Sequence, residues 1–244
     1  MEGSEECSAS GTHQLVGERE ELVKLEATYA NLVIRKKIRT LSLAYPQWRS
    51  IRGDGNCFYR ALWVGLVEDA VGRGGDPVEA LRGRFQTAEA TLQASAAPAL
   101  TEEDSWRQVR QHFAKEEAEK KTGTREWARW YEDSETSDMF VRYLRSLTSR
   151  SLEQRRDELA VFLPEGQALA DRRALAERMG EEAEQLEMSA LLATLDVGVR
   201  VYQLDRSEGP FAVYILPDER FKGRGELVTL LYRPGHYDLL YKRA

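Results

Sequence analysis

Cys57 stands directly behind Gly53-Asp54-Gly55-Asn56 and opens the apolar run Phe58-Tyr59-Arg60-Ala61-Leu62-Trp63-Val64-Gly65-Leu66. A run that is apolar almost all round reads as a buried helix, entered here through a tight glycine-bearing turn. Cysteine attacks as the thiolate, which is favoured at a helix N-terminus, where unpaired backbone N–H groups carry partial positive charge. The same N–H groups can hold an oxyanion as an attacked carbonyl becomes tetrahedral. Such a cysteine is expected to be both activated and exposed. The plainer reading is a small buried apolar residue, since free cysteine is among the most buried types. Glycines on both sides of Asp54 count against it, because a core cysteine needs no such backbone freedom.

The chain holds three histidines, His13, His112 and His236. His13 falls in a Ser-, Gly- and Glu-rich tail, and His112 is expected to be exposed or half-packed on a charged helix. His236 follows Arg233-Pro234-Gly235, a turn between two strand-like runs, and so stands at the first position of the last strand. In a strand, i and i+2 share a face, so Asp238 can lie beside the imidazole, hold its Nδ1–H and stabilise the imidazolium. Taken alone, His236-Tyr237-Asp238 reads more readily as a polar edge strand.

Other chemistry finds little support. The scattered Cys and His residues lack the C-x-x-C or H-x-x-x-H spacing of a zinc site. Gly72 to Gly75 is followed by no Lys-Ser/Thr, so it reads as a flexible loop rather than a phosphate cradle. No cofactor or metal is expected. Arg52-Gly53-Asp54 spells an adhesion tripeptide by coincidence.

The elements that must position Cys57 and His236 follow from hydrophobic period. Leu22, Leu25, Tyr29 and Leu32 recur at spacings of three and four and predict a helix from Glu18 through the basic run at Arg35 to Arg39, ended by Tyr45-Pro46. Thr101-Glu102-Glu103-Asp104 resembles a capping box ahead of Trp106, Val109 and Phe113. Met139, Phe140, Tyr143, Leu144 and Leu147 predict another helix, and Ala170–Met179 and Glu182–Leu195 two more. After Asp196 the period falls to two, and strands are expected at Val197–Leu204, Phe211–Leu216, Val228–Tyr232 and Tyr237–Tyr241. Helices first and strands later argue for α+β, with a helical region followed by a mostly antiparallel C-terminal sheet.

The 244 residues carry a net charge of −6, with 42% hydrophobic residues, the profile of a folded domain. Nucleic acid is not an expected partner, and no run approaches the length of a membrane span. Residues 1–17 are expected to be a disordered tail and 18–244 a single catalytic domain. Two cysteines, one of them Cys7 in the tail, leave no disulfide framework and point to a reducing compartment, the cytoplasm with nuclear access.

Together, Gly53-Asp54-Gly55-Asn56-Cys57-Phe58-Tyr59-Arg60-Ala61 and Leu231-Tyr232-Arg233-Pro234-Gly235-His236-Tyr237-Asp238-Leu239-Leu240-Tyr241 resemble the ovarian-tumour (OTU) cysteine proteases, in particular the otubain branch, peptidase C65. The helix before Val197–Leu204 and the Asp205-Arg206 turn resemble the same family's region ahead of its last strands. The resemblance implies a papain-like fold and a monomeric deubiquitinase that cleaves isopeptide bonds at the ubiquitin C-terminus through a thioester. It makes Cys57 the nucleophile, His236 the general base and then acid, and Asp238 the partner that orients the imidazole. Asp54 takes the place of the motif aspartate whose loop shapes the oxyanion hole, with the Cys57 N–H as a second donor, and Asn56 fixes the turn. Ubiquitin and polyubiquitin chains are the implied partners, and the Leu22 to Arg39 helix is a candidate contact for a second ubiquitin or plain core packing. Ser50-Ile51-Arg52-Gly53 is shorter than its otubain counterpart, and Glu184-Gln185-Leu186 replaces an Asp-His-Ile-like segment. Two rivals stay open at this point: a ubiquitin-binding scaffold without cleavage, and a papain-like protease acting on another ubiquitin-like modifier.

Overall fold

The computed structural model describes residues 14–93, 104–119, 127–162, 168–218, 221 and 226–243. The described helices are α1 (Leu32–Ala44), α2 (Cys57–Gly72), α3 (Pro77–Gln93), α4 (Asp104–Glu119), α5 (Arg129–Glu132), α6 (Ser134–Gln154), α7 (Arg156–Leu159), α8 (Leu169–Glu177) and α9 (Gln185–Leu195). The strands are β1 (Glu20–Glu21), β2 (Gln47–Arg49), β3 (Gly198–Gln203), β4 (Ala212–Leu216), β5 (Glu226–Arg233) and β6 (His236–Tyr241).

Helix α2 is buried all round from Cys57 to Val67, as a run apolar but for Arg60 requires. One side lies on β5 and β6, so closely at Gly65 that an added Cβ would sit 2.2 Å from Val228 Cγ2. The other side meets α3 and α6 through aromatics: Trp63 stacks on Phe140 with ring centroids 3.6 Å apart, and its Nε1–H donates to the Trp130 carbonyl at 2.7 Å. Flat rings with one satisfied polar handle give a large rigid contact there. His112 packs edge-on to Trp130 and Phe140, where burial pushes its pKa down to about 4 and keeps it neutral. Among the described residues no helix is long and apolar enough to cross a membrane.

The sheet runs β1-β2-β6-β5-β3-β4 and is α+β in context, as expected, but mixed: β3 pairs with β5 in parallel while the other pairs are antiparallel. The parallel pair arises because β4 turns back along the outer side of β3 and the chain reverses again into β5 on the other side of β3, so that β3 and β5 run the same way; α9 ends before β3 at Asp196, whose φ of 51° makes the left-handed stop of the helix. Three expectations need correction. The sheet also recruits early strands, since β2 pairs along β6 and β1 along β2. The stripe from Leu22 to Leu32 is a 3-10 helix at Leu22–Thr28 and then α1, because the Asn31 side chain accepts the Val33 and Ile34 N–H groups and starts a new helix. Leu22 and Leu25 are buried as expected, but Leu32 is 76% exposed. Two residues assigned to the tail belong to the domain: Leu15 and Val16 are buried in the main core, and Val16 bridges Ile51. An apolar pair has no reason to stay in water once the chain beside Ile51 offers backbone partners. The Thr101-Glu102-Glu103 half of the capping motif lies outside the described residues; α4 starts at Asp104.

Candidate active site

Cys57 is the first residue of α2, where sequence placed it. The turn before it has Gly55 at φ +73°, and the Gly180 backbone approaches so closely that a Cβ on Gly55 would lie 1.8 Å from the Gly180 carbonyl oxygen. Only glycine fits that combination of dihedral and clearance. Cys57 itself is 4% exposed, so the expectation of an exposed thiol is corrected: the apolar helix and the seated turn bury it.

Asp54 holds the turn rather than reaching for the thiol. Its Oδ1 accepts the Asn56 N–H at 3.0 Å, and its Oδ2 accepts from Arg52 Nε and from Arg60 Nη2 at 2.9 Å. Burial pushes the Asp54 carboxyl pKa up, yet Arg60 and Arg52 and the Asn56 N–H outweigh it and leave the pKa lowered. Arg60, wholly buried, carries the tie onward to Ser137 and Asp138 at the start of α6. The Asp54 N–H is bonded to the Arg52 carbonyl at 3.1 Å, whereas the Cys57 N–H has no partner among the described residues. The Asn56 carbonyl accepts the first helical bond, from Arg60 N–H, which leaves the Cys57 N–H directed out of the helix end.

His236 opens β6, and the i, i+2 rule brings Asp238 to the same face with a 2.9 Å contact. The nitrogen involved is Nε2, not the expected Nδ1. Strand spacing fixes which face a ring lies on, not how it rotates about χ2. Nδ1 is left buried with no hydrogen-bond partner among the described residues, and the Cys57 sulfur lies near enough to act on the ring. Burial pulls the imidazole pKa down, but the Asp238 hydrogen bond and the Cys57 sulfur outweigh it and raise the pKa to about 9. Asp238 is fully buried, and its carboxylate also accepts the Ile51 N–H at 3.0 Å and lies 2.6 Å from Arg233 Nη2. Ile51 leads straight into the cysteine turn, so one carboxylate fixes both the imidazole and the strand of chain that delivers the thiol.

The sequence reading passed over Arg145, Arg60, Arg233 and the Ile51 amide. Arg145 and Arg60 left a readable signal: each is a charge inside an apolar helical stripe, and buried charges require partners. Beside the site lies a groove of about 320 Å³ lined by Glu182, Ala183, Glu184, Gln185, Met188 and, across it, Val201, Gln203, Tyr214, Leu216, Tyr232 and Tyr237. Tyr237 joins groove to site. Its phenol pKa is pushed up by burial, then by Tyr232, Cys57 and Glu182, so it remains protonated.

A thiol, an imidazole and a buried carboxylate lie together here, and the comparison with known proteins gives the family. The profile of the peptidase C65 otubain family matches residues 8–242. The chain belongs to the otubain family. Ubiquitin thioesterase OTUB1 of Homo sapiens is 33% identical to this otubain over 234 residues, 93% of this chain and 83% of the relative. The Arabidopsis thaliana OTU-domain-containing deubiquitinating enzyme 1 is 29% identical over 251 residues, covering 93% and 81%. Among solved structures, ceOTUB1 in a complex with ubiquitin aldehyde and UBC13~Ub superposes on this otubain with a TM-score of 0.82 and 27% identity, covering 97% of this chain and 96% of that one.

Proposed function

We propose that this otubain hydrolyses the bond between the C-terminal glycine of ubiquitin and a lysine side chain, with Cys57 as nucleophile, His236 as acid and base, and Asp238 orienting the imidazole. The observation that carries the reading is the His236 imidazole held by Asp238 through Nε2 and raised in pKa by the neighbouring Cys57, on a chain of the otubain family.

In the first half-reaction the Cys57 sulfur attacks the glycine carbonyl carbon, and a C–S bond forms as the carbonyl oxygen takes up negative charge. The Cys57 N–H at the α2 N-terminus donates to that oxygen. The His236 imidazolium then gives its proton to the lysine nitrogen as the C–N bond breaks, leaving a thioester and a free amine. In the second half, His236 takes a proton from water, the oxygen adds to the thioester, and the C–S bond breaks to release the ubiquitin carboxylate. Asp238 compensates the imidazolium charge in both halves. Asp54 acts through its loop, by holding Asn56 and Arg60, and touches no reacting atom. The acidic rim of the groove at Glu182 and Glu184 supports binding of ubiquitin's Leu-Arg-Leu-Arg-Gly-Gly tail, whose arginines are cationic. The free Cys57 thiol fits a reducing, cytoplasmic setting.

The pH profile tests this assignment. Because the protonated imidazole must serve as acid, kcat/KM on ubiquitin joined through its C-terminus to an amine fluorophore is expected to fall as pH rises through about 9. Asp238→Ala removes a raising influence on the imidazole and leaves Arg233 beside it, so that fall moves to lower pH, with a loss of roughly 10²-fold at the optimum. An alkaline limb unmoved by Asp238→Ala contradicts the role given to His236, and absence of hydrolysis at every pH contradicts the reading as a whole.

A further inference from the structure

Arg145 belongs to α6, which supplies neither the thiol nor the imidazole, and only 1% of it is exposed. Its guanidinium lies over the Tyr59 ring, 4.4 Å from the centroid. Asn56 Oδ1 accepts from both Nε and Nη2, at 3.0 and 2.7 Å, and the Gly55 carbonyl accepts from Nη2 at 3.0 Å. The Glu181 carbonyl accepts from Nη2 at 2.6 Å and the Ala176 carbonyl from Nη1 at 3.1 Å. Asn56 Oδ1 also accepts the Gly180 N–H at 3.0 Å. Every acceptor is therefore a neutral amide oxygen, and Arg145 has no ion-pair partner among the described residues.

Burying a cation against neutral acceptors is costly, and a core that merely needed filling would take an apolar side chain. What a guanidinium supplies is a rigid planar fork that can satisfy several carbonyls in one fixed arrangement. Here the fork ties together two pieces of chain that otherwise meet through the Gly180 N–H on Asn56 Oδ1 and the close approach of Gly55 to the Gly180 backbone. One is Gly55-Asn56, the peptide units immediately before the Cys57 N–H. The other is the stretch from Ala176 to Glu181, which runs into the groove wall at Glu182. The donor for the developing oxyanion and the wall that holds the acyl group are thus set relative to each other by Arg145 together with the Asn56 side chain it engages.

We propose that Arg145 is a positioning residue for the acyl-transfer transition state: it acts through Asn56 and Gly55 to aim the Cys57 N–H at the oxyanion of a substrate held in the neighbouring groove. This inference rests on the hydrolase reading, and its test separates the two. Alkylation of Cys57 by chloroacetamide forms an S–C bond and expels chloride without building a tetrahedral oxyanion, so it reports the thiol and imidazole alone. Hydrolysis of the ubiquitin–fluorophore conjugate needs the oxyanion donor as well.

For Arg145→Lys, which keeps the charge but lacks the fork, and for Arg145→Met, kcat is expected to fall roughly 10- to 100-fold with KM changed by less than about threefold. The rate and pH dependence of chloroacetamide alkylation in Arg145→Lys stay as in the unaltered protein. Should Arg145→Met fail to fold, Asn56→Ala, which removes the shared side-chain acceptor and leaves the backbone carbonyls, is expected to give the same split. Full kcat in Arg145→Lys overturns the proposal, as does a parallel loss of alkylation and turnover in the folded variants. An unaltered protein that alkylates normally at Cys57 yet never hydrolyses the conjugate overturns the hydrolase reading instead, and this proposal falls with it.

Discussion

Cys57→Ala is expected to lower hydrolysis of ubiquitin conjugates by about 10⁴-fold or more, because among the described residues no other thiol stands beside His236 and the remaining donors only stabilise charge. The fold is expected to survive. Cys57 is buried, but the substitution removes a single sulfur at a helix end, and the helix keeps its other contacts, so the cost is about 1 kcal/mol. Ubiquitin affinity, measured by titration with free ubiquitin, is expected to be retained, since the groove is lined by residues of the 182–185 segment, α9 and the sheet rather than by Cys57. Rapid single-turnover assays on the variant and a melting curve beside them decide the matter. A variant that folds and still cleaves refutes the nucleophile assignment.

Gly55→Ala carries the next largest effect, and on stability as well as rate. The new methyl group would meet three backbone atoms of Gly180, at 1.8, 2.3 and 2.9 Å, on a residue already at φ +73°. Backbone cannot swing away as a flexible side chain does, so one of the two segments must shift by about an ångström. The strain and the clash together are expected to cost about 3 kcal/mol. A displacement of that size at the residue two before the nucleophile is expected to lower kcat/KM about 100-fold even in the fraction that stays folded. Gly180→Ala is the control: its φ of +86° carries strain, but the nearest atom to the added Cβ is the Asp54 carbonyl oxygen at 3.6 Å, an ordinary contact, so about 1 kcal/mol is expected. Equal destabilisation by the two variants, read from urea midpoints, would show that the close approach at Gly55 is not what fixes the turn.

Which features could be read from sequence follows from how far each depends on distant chain. The helix that begins at Cys57 and the strand that begins at His236 are announced locally, by the glycine turn and apolar run in one case and by Pro234-Gly235 with period-two residues in the other. The shared face of His236 and Asp238 follows from the pleat alone. The nitrogen that Asp238 engages does not, because the pleat leaves the ring free to turn about χ2, and the carboxylate it meets is held from outside the dipeptide by the Ile51 amide and Arg233. β2 is three residues long, too short to show an alternating pattern, and exists because β6 offers Leu239 to Tyr241 as partners. The Leu22 to Leu32 stripe misled because spacings of three and four suit a 3-10 turn followed by a fresh helix as well as one continuous helix. There Asn31, a strong cap, was the local sign to weigh. Arg145 reaches Asn56 across 89 residues of sequence, and only tertiary structure brings the two together.

The reading stands or falls on whether the residue-57 sulfur is the atom that meets ubiquitin's C-terminal carbonyl with the residue-236 imidazole beside it. Ubiquitin bearing an electrophile in place of its last carboxylate measures this directly, by intact mass and peptide mapping of the adduct. One equivalent attached at Cys57, lost in Cys57→Ala and slowed in His236→Ala, is the expected result. Attachment at another residue, or no attachment to protein that melts cooperatively, contradicts it.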